Sequence, residues 1–300
     1  MEGEDNNIYL IAGATGSTGT HITKSLIAKG KIVRVLVRDE KRAKSLLSEV
    51  YDKLESVIIC DLVNDLNYKE KLKQALAPAN NRKVTFIIST LSYNWDKAIT
   101  CYDGNVTTNT RLIEACTEAG IQNIEKFVLL SSTHVRRPWS YVSITCNINK
   151  KGMQWCKVIV EDLLRKSGLK YLIIRPVGLN RDLNAKETGF TLDQGDKIEG
   201  MINRSTVGRL TVDTMLDKHI PDNTSYECIS YEQDLKKDYN YVNGEIKLKP
   251  ETEEEKKLID HLFPARVVEY SVYLAISFSI FSIFYMAGKN YLARRIGLRN

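Results

Sequence analysis

Ile8-Tyr9-Leu10-Ile11-Ala12-Gly13-Ala14-Thr15-Gly16-Ser17-Thr18-Gly19 is an apolar run that breaks at three glycines. It resumes through Thr20 to Gly30 with the helical spacing of Ile22, Leu26 and Ile27. A buried-strand pattern, a glycine turn and a helix make the opening βα unit of a dinucleotide-binding sheet. Gly13 and Gly16 allow the tight turn and let a pyrophosphate approach the backbone, and Gly19 lets the helix lie close to the strand. N–H groups at the helix start face the phosphates, where the helix dipole also favours negative charge. The expected fold is therefore α/β, a doubly wound parallel sheet, and the rest of the chain is read outward from this loop.

Three hundred residues suffice for one elaborated α/β domain with a small appendage. The net charge of +6 comes from 43 basic and 37 acidic residues spread along the chain. Without a basic block or an aromatic-interleaved basic stripe, nucleic acid is not an expected partner. Six cysteines, at 60, 101, 116, 146, 156 and 228, form no CxxC pair and read as reduced, mostly buried thiols of an intracellular protein. Four histidines, at 21, 134, 219 and 261, are too scattered for a metal site, so no metal is expected.

The acidic, polar start MEGEDNN reads as neither a secretory signal nor an arginine-rich amphipathic transit peptide, so no cleaved leader is expected. Tyr270 to Gly288 (YSVYLAISFSIFSIFYMAG) is an uncharged run, and as a helix it would span about 28 Å, close to the hydrocarbon thickness of a bilayer. A buried core helix would need one polar face, and this run offers only scattered serines and tyrosines. The expectation is a single carboxy-terminal span contacting the lipid bilayer, with Lys289, Arg294, Arg295 and Arg299 beyond it. A short cationic tail suits a mitochondrial membrane better than a secretory one.

In order along the body, Lys31 to Val37 (KIVRVLV) is the second strand. An acidic residue near its end would take the ribose hydroxyls of NAD. Arg38, followed by Lys41 and Arg42, instead offers cations to a 2′-phosphate and favours NADP, although Asp39 keeps a carboxylate close by. A helix over Glu40 to Tyr51 and a strand over Ser56 to Cys60 follow, and Asp61 then either accepts from an adenine amino group or opens an Asx turn. Beyond a helix from Asn67 to Leu76, strand Lys83 to Leu91 carries Ser89 and Thr90 to the carboxyl edge of the sheet.

A helix from Tyr102 to Ala119 precedes strand Lys126 to Leu130, which runs into Ser131, Ser132 and Thr133. These hydroxyls either point into the crevice, where they could polarise a carbonyl, or cap the turn. In the helix from Gln154 to Lys170, Lys157 and Glu161 lie one turn apart, as either an exposed ion pair or a ribose-binding lysine held by a carboxylate. Strand Tyr171 to Arg175 ends at Pro176. Gly178 to Ile198 reads as loop, Thr224 to Ser230 as a strand, and Tyr231 to Lys257 as a charged linker that ends in a solvated helix.

GATGSTG, VLVRD, CDL, FVLLSST, the stretch from Lys157 to Pro176, and QGDKIEG with helix Ser205 to Met215 together resemble the atypical short-chain dehydrogenase/reductases. Within these the NmrA-like NAD(P)-binding subgroup is the most similar, over roughly Ile8 to Ser230. The resemblance implies a Rossmann core over 1–176 and a small substrate-like lobe with its linker over 177–264, to which the apolar run adds an anchor with a basic tail over 265–300. It places Gly13, Thr15, Gly16, Ser17, Thr18 and Gly19 at the phosphates, Arg38 at the 2′-phosphate and Asp61 and Leu62 at the adenine. Ser89, Thr90 and Leu91 would wall the ribose, with Ser131 beside them. Lys157 would bind the ribose, and Arg175, Pro176 and Val177 would lie at the nicotinamide end.

One departure bears on activity. Active short-chain reductases carry Tyr-x-x-x-Lys, with the tyrosine as proton donor, and four residues before Lys157 this chain has Met153. A thioether has no transferable proton. Two readings follow. In one, the chain is a nucleotide-holding structural or redox-sensing subunit of a membrane complex, a use seen in the accessory Rossmann subunit of respiratory complex I. In the other it is an anchored NADPH-dependent reductase of a carbonyl or quinone-like substrate, with Lys157, Ser132 or Thr133 assisting and Tyr141, Lys157 itself or a substrate group replacing the donor.

Overall fold

A computed structural model describes residues 6–93, 99–231 and 248–256. The chain forms two compact units, Met1–Glu251 and Thr252–Asn300. In the second only 252–256 is described, with the short helix Glu253–Lys256. Tyr270 to Gly288, the expected span, lies outside the described residues. Among those described, no helix is long and apolar enough to cross a membrane.

The first unit is built from the strand–helix alternation expected of it. Strands β1 (Asn7–Ala12), β2 (Ile32–Val37), β3 (Ser56–Ile59), β4 (Lys83–Ser89), β5 (Lys126–Leu130) and β6 (Tyr171–Pro176) are all parallel. After a small separate pair, β7 (Gly178–Leu179) with β9 (Met201–Ile202), strand β10 (Thr224–Tyr231) joins β6 in parallel, and β8 (Gly189–Asp193) closes the edge antiparallel to β10. The eight-stranded order is β3-β2-β1-β4-β5-β6-β10-β8. The order reverses between β1 and β4, the position at which open parallel sheets bind ligands.

Strand alternation divides the core into two layers. Tyr9, Ile11, Val33, Val35 and Val37 face helices α1 (Gly19–Ala28), α2 (Glu40–Leu46) and α7 (Arg204–Leu216). Ile8, Leu10, Ala12 and Leu36 face α3 (Tyr68–Leu76), α4 (Thr108–Glu118) and α6 (Met153–Lys166); α5 (Tyr141–Asn149) precedes α6. Arg34, a charge in the middle of a buried strand, is accommodated by pairing. It donates to Glu55 at 2.7 and 3.0 Å and to the Ala75 and Ala77 carbonyls at 2.9 and 2.6 Å, which closes the end of α3.

Four local expectations need correction. α2 stops at Leu46, and the chain tightens into a 3-10 turn over Tyr51–Lys53 rather than continuing as helix. Before α4 there is a π-helical turn, Asp103–Thr107, where a Cβ on Gly104 would come within 2.9 Å of the Tyr93 backbone. The stretch read as loop holds β7 and β8; Phe190 and Leu192 of β8 are buried through pairing with β10, a contact too distant in sequence to be seen locally. Glu251, read as part of a solvated helix, is buried in the first unit, where its backbone N–H donates to the Asn223 carbonyl at 2.8 Å. The six cysteines are all free thiols, five buried and Cys146 half-buried.

Candidate functional site

Because β1 to β6 run parallel, the residues that leave their carboxyl ends gather along one edge. Gly13 has φ +87°, a conformation that favours glycine, and its N–H donates to the Leu36 carbonyl at 3.2 Å. Gly16 N–H closes the turn on the Gly13 carbonyl at 2.8 Å. A Cβ at position 13 would stand 2.6 Å from the Thr90 hydroxyl, and one at 19 would overlap the Gly13 carbonyl oxygen. The loop is thus a backbone cradle that side chains would fill, and α1 begins at Gly19, its N-cap Thr18 making no side-chain cap to the first-turn N–H groups. These features fit the pyrophosphate of a dinucleotide. Thr15 and Gly16 are half-buried, Ser17 is exposed, and Thr18 and Gly19 are buried.

Arg204, which sequence reasoning missed, stands at this loop. Its Nε donates to Ser17 Oγ at 3.0 Å, and it also holds the Asn180 carbonyl. No local signal could have found it, since 187 residues separate it from Ser17.

At the end of β2 the two charges divide their roles. Arg38 is exposed and available, whereas the Asp39 carboxylate caps α2 by accepting from Arg42 N–H at 3.0 Å. Asp61 forms the Asx turn, accepting from Val63 N–H at 2.9 Å and from Asn64 N–H at 3.3 Å. Burial resists its charge, but these bonds and the nearby Arg38 hold its pKa below the ordinary value. Leu62 is buried, and its carbonyl is held by Arg111.

Ser89 is fully buried and donates to Asn109 at 2.5 Å, so its hydroxyl is turned inward rather than toward the edge. Thr90 locks the glycine turn, its hydroxyl 3.1 Å from the Ala12 carbonyl and 3.0 Å from that of Gly13. Leu91 packs against the second core layer.

At the end of β5 the three hydroxyl residues separate. Ser131 is buried and donates to Glu161 at 2.6 Å, and Thr133 is buried with its N–H on the Pro176 carbonyl at 3.1 Å. Ser132 is half-buried, with Gln154 Nε2 3.5 Å from its hydroxyl and 3.1 Å from the Thr133 carbonyl. Met153, at the start of α6, is partly buried against the second core layer. Tyr141 lies on the first turn of α5 with 80% of its surface exposed, which does not suit a sheltered proton donor.

Lys157 is buried, and its ammonium donates to the Leu130 carbonyl at 3.0 Å. Burial pulls its pKa down to about 8, against the opposing charge of Glu161. The exposed-pair reading therefore fails, since Glu161 is buried too. Its carboxylate is clasped by Arg175 at 3.0 and 2.7 Å and by Arg165 at 2.9 Å. Burial disfavours that charge, but the two guanidinium groups hold the carboxyl far below the usual range.

Arg175, implied at the nicotinamide end, has its guanidinium in this buried network instead. Glu227 accepts from it at 3.2 Å, and Glu251 accepts from Arg136 at 2.9 Å, Arg165 at 2.6 and 2.8 Å, Tyr171 at 2.8 Å and Ser225 at 2.6 Å. The register explains the placement: Arg175 and Glu227 are direct partners on β6 and β10. Pro176 and Val177 are buried, with Val177 N–H on the Cys228 carbonyl at 3.1 Å. Among the described residues, no group of three or more metal-ligating side chains converges.

The chain belongs to the NAD(P)H-binding family, whose profile matches residues 13–218. It is 30% identical over 220 residues to an uncharacterised chloroplastic protein of Arabidopsis thaliana, a match covering 69% of this chain and 71% of that one. It is 28% identical over 220 residues to the chloroplastic protein TIC 62 of the same plant, covering 67% of this chain but 32% of TIC 62. The photosystem II assembly factor Ycf39 of Cyanophora paradoxa is 29% identical, with 62% of this chain and 50% of that protein covered. The chain thus spans about a third to a half of the latter two.

Among solved structures, an oxidoreductase of Lactococcus lactis superposes with a TM-score of 0.61 at 18% identity, covering 79% of this chain and 96% of that one. A short-chain dehydrogenase/reductase of Veillonella parvula, solved in complex with NADP, gives 0.56 at 17% identity, covering 74% and 94%. These likenesses show the Rossmann-like fold.

Proposed function

We propose that this chain holds NADP(H) along the carboxyl edge of the sheet and serves as an accessory or redox-sensing subunit of a membrane complex, without the turnover of a short-chain reductase. Met153 carries this reading. It stands four residues before Lys157, packed as an apolar side chain where the proton donor would be. Bound NADPH would supply a hydride, but the chain would lack the acid that completes a carbonyl reduction. The word assembly factor in the name of one relative supports an accessory role.

NADP over NAD rests on exposed Arg38 and on Asp39, whose carboxylate is occupied by the helix cap. Membrane attachment through Tyr270 to Gly288 rests on its apolar length, and residues 177–264 and 265–300 are proposed as substrate-like lobe with linker and as anchor with tail. The mitochondrial preference drawn from the cationic tail gains no support from relatives whose names read chloroplastic.

The reductase reading keeps one specific observation. An amine with a pKa near 8, as at Lys157, can give up a proton at neutral pH, and Ser132 and Gln154 stand at the same edge. Gentle detergent extraction, with native mass and nucleotide content measured on one peak, separates the two. A large assembly carrying tightly held NADP(H) supports the accessory role, whereas a small particle with freely exchanging nucleotide favours the reductase.

A further inference from the structure

Helix α5 is tied at both ends to the residues that leave β5. Its N-cap Ser140 accepts from Ser143 N–H at 3.2 Å, and the same hydroxyl meets His134 Nδ1 at 2.9 Å. Towards its other end, Asn147 Oδ1 accepts from the N–H groups of Gln154 and Trp155 at 3.0 and 3.3 Å. Gln154 in turn reaches the Thr133 carbonyl. These bonds turn one side of the helix inward, with Ser143 and Asn147 buried.

The opposite side is bare. Tyr141 and Ile148 stand seven residues apart, hence on one face, and both are exposed, Ile148 by 64%. Trp139, just before the cap, is 55% exposed. Single exposed apolar side chains are ordinary. Here they cluster, since of the nine large apolar side chains exposed among the described residues three fall within 139–148.

Charge beside this face has one sign. From Lys126 to Val160 the sequence contains no Asp or Glu. Most of its cations are engaged: Lys126 pairs with Asp222, Arg136 with Glu251 and Arg137 with Glu199, while Lys157 is buried. Asp196, the other carboxylate that reaches this stretch, accepts from the backbone N–H groups of His134 and Arg136 at 2.6 and 2.8 Å. Lys150 and Lys151, directly after α5, have no ion pair among the described residues.

We propose that Trp139, Tyr141, Ile148, Lys150 and Lys151 form a docking face for an anionic lipid surface, with α5 lying in the plane of the interface. Charge complementarity selects this occupant, because an apolar strip beside unpaired cations and free of carboxylates matches acyl chains beneath anionic headgroups. Trp and Tyr rings, apolar with one polar N–H or O–H, settle at headgroup level, and Ile148 reaches the acyl boundary. The proposal deepens the membrane reading above and rests on it for the tether, Tyr270 to Gly288. Docking through α5 brings the carboxyl edge of the sheet, with Ser132 and Gln154, beside the lipid.

The test mixes the full-length protein with phosphatidylcholine vesicles carrying about 30% phosphatidylserine, their acyl chains brominated so that they quench tryptophan on contact. Subtracting the signal of W139F isolates Trp139. The expected result is quenching of Trp139 that falls at least fivefold in K150E/K151E, in I148S, in pure phosphatidylcholine vesicles and, for the unaltered chain, at high salt. Unquenched Trp139 in the anionic vesicles, or quenching indifferent to the lysines and to salt, would overturn the face. Trp139 unquenched by lipid yet shielded from aqueous iodide in a protein assembly would assign it to a protein partner and overturn the lipid. An alkaline carbonate wash reads the tether separately. A chain stripped off after salt-sensitive quenching loses the anchor and keeps the face, whereas a chain retained with Trp139 unquenched keeps the anchor and loses the face.

Discussion

Arg204 at the start of α7 donates through Nε to the hydroxyl of Ser17, 3.0 Å away in the glycine loop after β1. The contact brings a guanidinium to a loop whose own donors are backbone N–H groups. The helices behind it are held close, since a Cβ on Gly208 of α7 would overlap the His21 side chain of α1. Arg204→Ala should weaken NADPH binding about tenfold, the worth of one charge-assisted contact, and leave the unfolding midpoint nearly unchanged. Isothermal titration checks this; an unaltered affinity would remove Arg204 from the site.

Arg38 and Asp39 make separable predictions. Arg38→Asp should abolish any preference for NADPH over NADH, measured as a ratio of dissociation constants. Asp39→Ala should leave that ratio alone and cost about 1 kcal/mol of stability, because its carboxylate caps α2 at Arg42 N–H. A ratio unmoved by Arg38→Asp would show that the 2′-phosphate is held elsewhere or not at all.

Glu251 anchors the segment 248–251 to the first unit through Arg136, Arg165, Tyr171 and Ser225, and Leu248 is buried beside it. Glu251→Gln should cost about 3 kcal/mol, since it leaves buried guanidinium charge without its partner. Burial opposes the Glu251 charge, yet Arg165 and Arg175 lower its pKa from 4.5 to about 2. The unfolded chain takes up the proton first as pH falls, so this contribution is full above about pH 4.5 and is lost on the way down to pH 2. Urea unfolding from pH 6 to pH 2 should therefore show a shallower acid limb in the variant. Deleting residues from 257 onward should leave the first unit intact, whereas deleting from 248 onward should destabilise it by a similar amount.

The parts legible in the sequence are those whose signal is local. Gly13, Gly16 and Gly19 announce a turn within seven residues, and the apolar runs of β1 to β6 carry their own burial. The network around Arg175 was not legible, because Glu161, Glu227 and Glu251 reach it from three distant segments. The polar strand ends were ambiguous for a physical reason. Ser89, Thr90 and Ser131 have the chemistry of ligand contacts, but a hydroxyl beside a tight turn or a buried carboxylate serves packing equally well. Met153 is the reverse case, since the proposed loss of the acid comes from setting its identity beside the Tyr-x-x-x-Lys pattern of active short-chain reductases.

Whether the bound nucleotide turns over is decided by NADPH oxidation by the protein in detergent, followed at 340 nm against a panel of aldehydes, ketones and quinones. The expected result is a saturable NADPH complex whose absorbance does not decay faster than free NADPH with any of them. Saturable consumption of NADPH dependent on one of these substrates would contradict it and make Lys157 the first residue to examine as proton donor.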